Sequence, residues 1–138
     1  MLLELATPTR QLVSEQVDEV VAPGEEGYFG VLPGHAAFLT TLGSGEVSYR
    51  KGGQESFLAI IGGFAEVRGD RVIILAERAE RPEEIDRERA ERARQRAEQR
   101  LAGRSAHGRD EEIDYARAVA ALARALARLQ VAGRASGA

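Results

Sequence analysis

Residue usage changes abruptly near residue 77, and this change limits the possible folds more than any overall average does. Residues 1–76 hold six of the seven aromatics (Tyr28, Phe29, Phe38, Tyr49, Phe57, Phe64) and 11 of the 15 glycines. They carry 5 basic and 10 acidic side chains, whereas residues 77–138 carry 14 and 12 and are crowded with alanine and arginine. Ring and branched side chains pack on pleated surfaces, and glycine serves tight turns, so the first stretch favours short strands. Alanine with arginine and glutamate favours helix. At 138 residues the chain has room for one ordinary domain or two small ones. The composition divides it at residues 1–82 and 83–138.

In the first part, Leu2 to Ala6, Val17 to Ala22, Glu46 to Tyr49, Phe57 to Ile61, Phe64 to Arg68 and Arg71 to Ala76 are expected to be strands. Between them stand Pro23-Gly24, Pro33-Gly34, Gly43-Ser44-Gly45, Lys51-Gly52-Gly53, Gly62-Gly63 and Gly69-Asp70, each able to supply a turn. This spacing suits a small sandwich or barrel. Phe64 to Arg68 and Arg71 to Leu75, joined by Gly69-Asp70, form the strongest hairpin candidate.

Pro82 ends the last extended run, and Glu83-Glu84-Ile85-Asp86 places acids in the first turn of a helix, where they complement its dipole. Ala90, Ala93, Ala97 and Leu101 recur at helical spacing. Gly103 to Gly108 is a reversing loop. A second helix is expected from Asp110 to about Val131, followed by a small-residue tail from Gly133 to Ala138.

On the second helix Arg117, Arg124 and Arg128 fall within about 40° of one another. Leu122, Leu126, Leu129 and Val119 form a broad apolar face, and Ala116, Ala120, Ala123 and Ala127 a small-residue stripe able to approach Ala90, Ala93 and Ala97. An alanine seam buries little area and is weak at roughly 25 cal/mol per Å², so the hairpin is expected to be detachable. From Tyr115 onward there are four arginines and no acid. Intrahelical pairing therefore cannot neutralise the basic stripe, which points to an acidic partner or a phosphate-bearing ligand.

Several chemistries are disfavoured. The chain has no cysteine and only two histidines, which excludes disulfides, thiolate sites and histidine-rich metal centres. No metal site is expected. His35 lacks a serine or cysteine partner at a recognisable spacing, so no catalytic residue is expected. Gly52-Gly53 and Gly62-Gly63 are not followed by the Gly-Lys-Ser/Thr of a phosphate loop. Glu25-Glu26, Glu83-Glu84 and Glu111-Glu112 are adjacent acids whose side chains diverge, and capping explains them. No secretory leader and no run of about 18 apolar residues is visible, which suggests a cytoplasmic protein. The net charge of −3 argues against a general nucleic-acid binder.

Four segments in order carry a specific resemblance: Gly30-Val31-Leu32-Pro33-Gly34-His35-Ala36, Gly62-Gly63-Phe64-Ala65-Glu66-Val67, the helix start Ile85-Asp86-x-x-Arg89-Ala90, and Asp114-Tyr115-Ala116. With these the chain resembles, over nearly its whole length, the epsilon subunits of bacterial F-type rotary ATP synthases. The resemblance implies an α+β protein with an N-terminal antiparallel β-sandwich followed by a C-terminal antiparallel two-helix hairpin. It implies a non-catalytic central-stalk subunit that needs no cofactor, peripheral on the cytoplasmic side of the inner membrane.

The implied partners are the gamma subunit and the ring of c subunits for the sandwich, with Tyr28, Phe29, Val31, Leu32, Pro33 and His35 at the subunit interface. When extended, the hairpin meets the beta and alpha subunits and inhibits ATP hydrolysis, with Arg117, Arg124 and Arg128 on the inhibitory helix. By the same resemblance ATP is a regulatory ligand of the folded hairpin, at Glu80, Ile85, Asp86, Arg89, Ala90, Arg96, Arg124 and Arg128. Where many relatives have Gly-Glu-x-Gly, this chain has Gly27-Tyr28-Phe29-Gly30, which leaves Glu25 and Glu26, or an apolar contact from Tyr28 and Phe29, to face the c ring. The rival reading is a free-standing adaptor whose basic helix binds nucleic acid or an acidic protein. The acidic first part and the lack of aromatic stacking groups among the arginines weigh against it.

Overall fold

The computed structural model describes the backbone of residues 1–103 and 109–135, and the side chains of these except 109–113. Eight strands come first: β1 (Leu2–Ala6), β2 (Gln11–Gln16), β3 (Glu19–Gly24), β4 (Gly27–Val31), β5 (Phe38–Leu42), β6 (Gly45–Lys51), β7 (Gln54–Arg68) and β8 (Arg71–Glu80). A 3-10 turn at Pro82–Glu84 leads to α1 (Arg87–Ala102) and α2 (Arg109–Ala135).

The strands form a β-sandwich in the order β2-β1-β8-β7-β5-β3-β4, with β6 bridging β3 and β7. Every pairing is antiparallel except β1 with β8, which run parallel. Alternation aims one side of each strand inward: Leu3 and Leu5 of β1, Val20 and Ala22 of β3, Val72, Ile74 and Ala76 of β8. With Val31, Val47, Leu58 and Ile60 they make a single core, and Phe29 and Tyr49 pack on its rim.

The long strand β7 organises the sandwich. Its first half pairs with β6 and its second half with β5, while β8 runs alongside both halves. Phe57 to Ile61 and Phe64 to Arg68 are thus one strand, and Gly62-Gly63 is a bend inside it. The change of partner requires glycine, because both residues have positive φ (65° and 123°) and a Cβ on Gly63 would lie 2.1 Å from the Leu75 carbonyl oxygen. The Gly69-Asp70 turn closes the β7–β8 hairpin as the sequence predicts.

Three strands go unnoticed in the sequence. β2 buries the adjacent pair Leu12 and Val13 next to an irregularity at Leu5/Ala6 that upsets alternation. β4 is interrupted by Gly30, and β5 exposes its largest side chains. β3 begins two residues later than expected and runs through Pro23-Gly24, and the turn falls instead on Glu25-Glu26. The backbone there reverses at Gly27, whose φ is 128°.

The first helix also starts later than expected, whereas the second starts one residue earlier, at Arg109. Glu83 and Glu84 sit in the 3-10 turn, and Asp86 is the N-cap of α1, accepting from the Arg89 N–H at 3.1 Å. Gly103 ends α1 through its N–H to the Gln99 carbonyl at 2.8 Å; the rest of the expected loop up to residue 108 lies outside the described residues. Gly133 to Ala135, expected in the tail, are helical.

The α1–α2 seam is small-residue packing, but on a different face from the one expected. Of the stripe expected there, Ala116, Ala120 and Ala123 are exposed and only Ala127 is buried, whereas Ala118, Ala125 and Ala132, one heptad apart, are all buried, as are Ala90 and Ala97 of α1. Alanine recurs on almost every face of α2, so the pattern alone leaves the choice of face open. α1 packs on α2, and α2 in turn packs on β6, β7 and the 3-10 turn.

Candidate functional site

A groove of about 630 Å³ opens where the end of β8 meets the two helices. Strand β8 contributes Arg78 and Glu80, the 3-10 turn Glu84, the α1 cap Asp86, α1 itself Arg89, Ala90, Arg96 and Arg100, and α2 Arg124 and Arg128. Ala93, Ala97, Ala121 and Ala125 form the walls, their methyls leaving the space that larger side chains would fill. Seven of the eight residues expected at a nucleotide site line this groove. The eighth, Ile85, is half-buried between the 3-10 turn and α1 and does not line it.

The charges are strongly unequal. Six arginines face three carboxylates, and the carboxylates are already engaged. Glu80 accepts from Arg128 Nε at 2.7 Å, and Asp86 caps α1. Glu84 accepts from Arg10, outside the groove, at 2.7 and 3.0 Å, and from the Arg81 N–H at 2.8 Å. These bonds hold its carboxyl at about 2, well below the ordinary range. Among the described residues, Arg78, Arg89, Arg96, Arg100 and Arg124 form no ion pair. Arg94, on another face of α1, is gripped by Glu91 and Glu98 of its own helix, which raises its pKa and lowers that of Glu91. The groove therefore gathers cations that α1 does not neutralise itself. Forked donors converging from two helices and a strand fit a polyphosphate.

The basic stripe of α2 divides. Arg117 is exposed and lies outside the groove, while Arg124 and Arg128 enter it. As expected, the acids that meet the arginines of this helix lie outside it: Glu80 holds Arg128 and Glu46 holds Arg134. Both carboxylates belong to the sandwich, so an inventory of the helix alone misses them. Of the apolar face, Val119 and Leu126 are exposed and Leu129 is half-buried, as is Leu122.

A second surface lies on the sandwich. Tyr28, Leu32, Pro33 and the half-buried His35 are accessible. The loop at Leu32 is closed by the His35 N–H to the Leu32 carbonyl at 3.1 Å. Phe29 is half-buried and meets Phe38 edge-on at 5.2 Å. Val31 is fully buried in the core, so its side chain is withdrawn from any partner, contrary to expectation.

Sequence reasoning misses the outer face of β5, β7 and β8, where Leu39 is 67% exposed and Phe64 and Leu75 are cross-strand neighbours with nearly half their surface in water. The signal lies in Ile73-Ile74-Leu75, an apolar run where a solvated strand would alternate.

Among the described residues no group of three or more histidines, aspartates and glutamates stands close enough to hold a metal. No described helix is long and apolar enough to cross a membrane.

Residues 1–82 match the family model described as the ATP synthase delta/epsilon chain β-sandwich domain, and residues 83–133 the one described as its long α-helix domain. The chain is 52% identical over 133 residues to the ATP synthase epsilon chain of Nitratidesulfovibrio vulgaris, covering 96% of each. It is 51% identical over 132 residues to that of Geobacter metallireducens, covering 96% of this chain and 93% of the relative. Among solved structures it resembles a chain of the Euglena gracilis mitochondrial ATP synthase OSCP/F1/c-ring assembly, with a TM-score of 0.76 and 28% identity over 94% of this chain and 79% of that one.

Proposed function

The chain belongs to the ATP synthase delta/epsilon family, and from that premise we propose that it works as a non-catalytic regulatory subunit whose helical hairpin binds ATP when folded and inhibits hydrolysis when extended. The sandwich joins the gamma subunit to the c ring in the central stalk, so the protein is peripheral on the cytoplasmic side of the inner membrane. Its apolar outer face and the Tyr28 and Leu32 region are the surfaces suited to those contacts.

One observation carries the reading. The arginines of the groove come from β8, α1 and α2 together, so an anion bound there crosslinks all three. Such a ligand binds only the folded arrangement and stabilises it by RT ln(1 + [L]/Kd). ATP therefore opposes extension, and its loss frees Arg117, Arg124 and Arg128 to meet the alpha and beta subunits. Charge complementarity governs the rate and register of that encounter.

Titration of the isolated chain with ATP, repeated on Arg124→Ala, tests the ligand. Weak or absent binding in both proteins removes the site. Hydrolysis by the assembled enzyme with and without residues 84–138 tests the arm, and equal rates leave only the coupling role.

A further inference from the structure

Glu46 is the one charged residue fully buried among the described residues, at 7% exposure. It stands second in β6, opposite Ala59 of β7. Its carboxylate accepts from Arg134 Nε and Nη2, both at 3.0 Å, and from Gln130 Nε2 at 3.1 Å. All three donors belong to the last turns of α2, 84 and 88 residues further along the chain. The Arg134 guanidinium also lies over the Phe57 ring, 4.3 Å from its centre. Beneath, the Glu46 N–H donates to the Tyr28 hydroxyl at 3.0 Å, which fixes the backbone that carries the carboxylate.

A carboxylate this dry is tolerated only while its donors are present. The other ties of the hairpin are less buried or less directional: Arg128 on α2 donates to the partly exposed Glu80 of β8 at 2.7 Å, small apolar side chains line α2, and the root is tied at the 3-10 turn by Arg10 and Glu84. We propose that Glu46 is the latch of the hairpin, the group whose bonds to Arg134 and Gln130 decide how often α2 leaves the sandwich. The latch also positions the groove, since Arg128 and Arg134 lie about 9 Å apart along one rigid helix. A charged latch is reversible in a way that an apolar seam is not, because both partners are solvated once open. The proposal rests on the reading of the hairpin as a movable arm.

The chain lacks cysteine, so one introduced thiol reports opening. Val131→Cys, fully buried on α2, is labelled by a thiol reagent only when the helix lifts off. In that background Glu46→Gln and Arg134→Gln are expected to raise the labelling rate about tenfold or more, as befits the loss of hydrogen bonds to a charged group. The double variant should exceed neither single one appreciably, and Arg134→Lys should recover part of the protection. Arg134→Gln sits at the half-exposed end of a helix and leaves the sandwich folded, which Val72→Cys, buried in the core, verifies by staying unlabelled. A labelling rate within about twofold of the parent in Arg134→Gln, or additive effects in the double variant, overturns the latch. Where labelling rises, hydrolysis by the assembled enzyme is then compared. Stronger inhibition supports both ideas, and unchanged inhibition counts against the regulatory arm while the latch stands.

Discussion

Arg10 and Glu84, 74 residues apart, are joined by two hydrogen bonds of 2.7 and 3.0 Å, which fasten the start of β2 to the 3-10 turn from which the hairpin departs. Arg10 also donates to the Ala79 carbonyl at 3.1 Å, so a single guanidinium secures the strand end and the turn together. The position of the groove relative to β8 depends on this joint.

The joint should be unusually acid-resistant. The Glu84 carboxyl lies at about 2, against an ordinary value of 4.5, because of Arg10 first and the Arg81 N–H second. A depressed folded value means that the contribution to stability is complete above the ordinary value and is lost as pH falls from there towards about 2. NMR titration of the Glu84 carboxyl should show a midpoint near 2, rising towards the ordinary value in Arg10→Gln. Both side chains are partly exposed and screened by water, so that variant should shift the unfolding midpoint only slightly. A midpoint unchanged by the substitution would contradict the assignment.

Gly63 should be nearly irreplaceable. Its φ of 123° and the 2.1 Å that would separate a Cβ at this position from the Leu75 carbonyl oxygen combine strain with a backbone clash, neither of which a side-chain shift relieves. Gly63→Ala is expected to cost at least about 3 kcal/mol or to prevent folding. Gly53→Ala meets nothing within 4 Å and has no positive φ, so its unfolding midpoint should stay close to that of the parent. Denaturant unfolding of the two variants distinguishes the bend in β7 from an ordinary turn.

These two sites also mark where the letters of the chain inform and where they do not. The glycine pair is conspicuous, yet nothing local distinguishes a turn from a bend inside a 15-residue strand, since that depends on β5 and β6 pairing with successive halves of β7. The expected nucleotide residues do converge, because Arg89 and Arg96 share one face of α1 and Arg124 and Arg128 one face of α2. Arg100 lies on the same face of α1, 11 residues from Arg89 and four from Arg96, a helical spacing legible in the sequence though absent from the expected set. Arg78 joins them only through the docking of helices on the sandwich, a long-range relation without a periodic signature. Glu46 is hidden for the same reason: an acid inside a strand looks solvated until α2 is laid across it.

The outer face of β5, β7 and β8 should matter for assembly and hardly for folding. Leu39, Phe64 and Leu75 already face water, so Leu39→Ser with Phe64→Ser should change the stability of the isolated chain by no more than about 0.5 kcal/mol per site. Association with the gamma subunit should nonetheless fall sharply, as the apolar area it would bury is removed. Co-purification that survives both substitutions, in a chain with an unchanged unfolding curve, would move the interface elsewhere.

Arg117 and Arg124 stand on the same stripe of α2 but should separate the two roles of the hairpin. Arg124 lines the groove and Arg117 does not. A charge-assisted fork to phosphate is lost in Arg124→Ala, so ATP affinity should drop about tenfold or more. It should remain at the parental value in Arg117→Ala, whose side chain is exposed and forms no ion pair among the described residues. The proposed extended arm presents both arginines to the same partner, so inhibition of hydrolysis should respond differently: each substitution should weaken it, and added salt should narrow the gap between variant and parent. Binding measured by calorimetry on the isolated chain and hydrolysis measured on the assembled enzyme give the two readouts. An equal loss of ATP affinity in both variants would mean that the groove is not the nucleotide site, and that the arginines act only through their common charge.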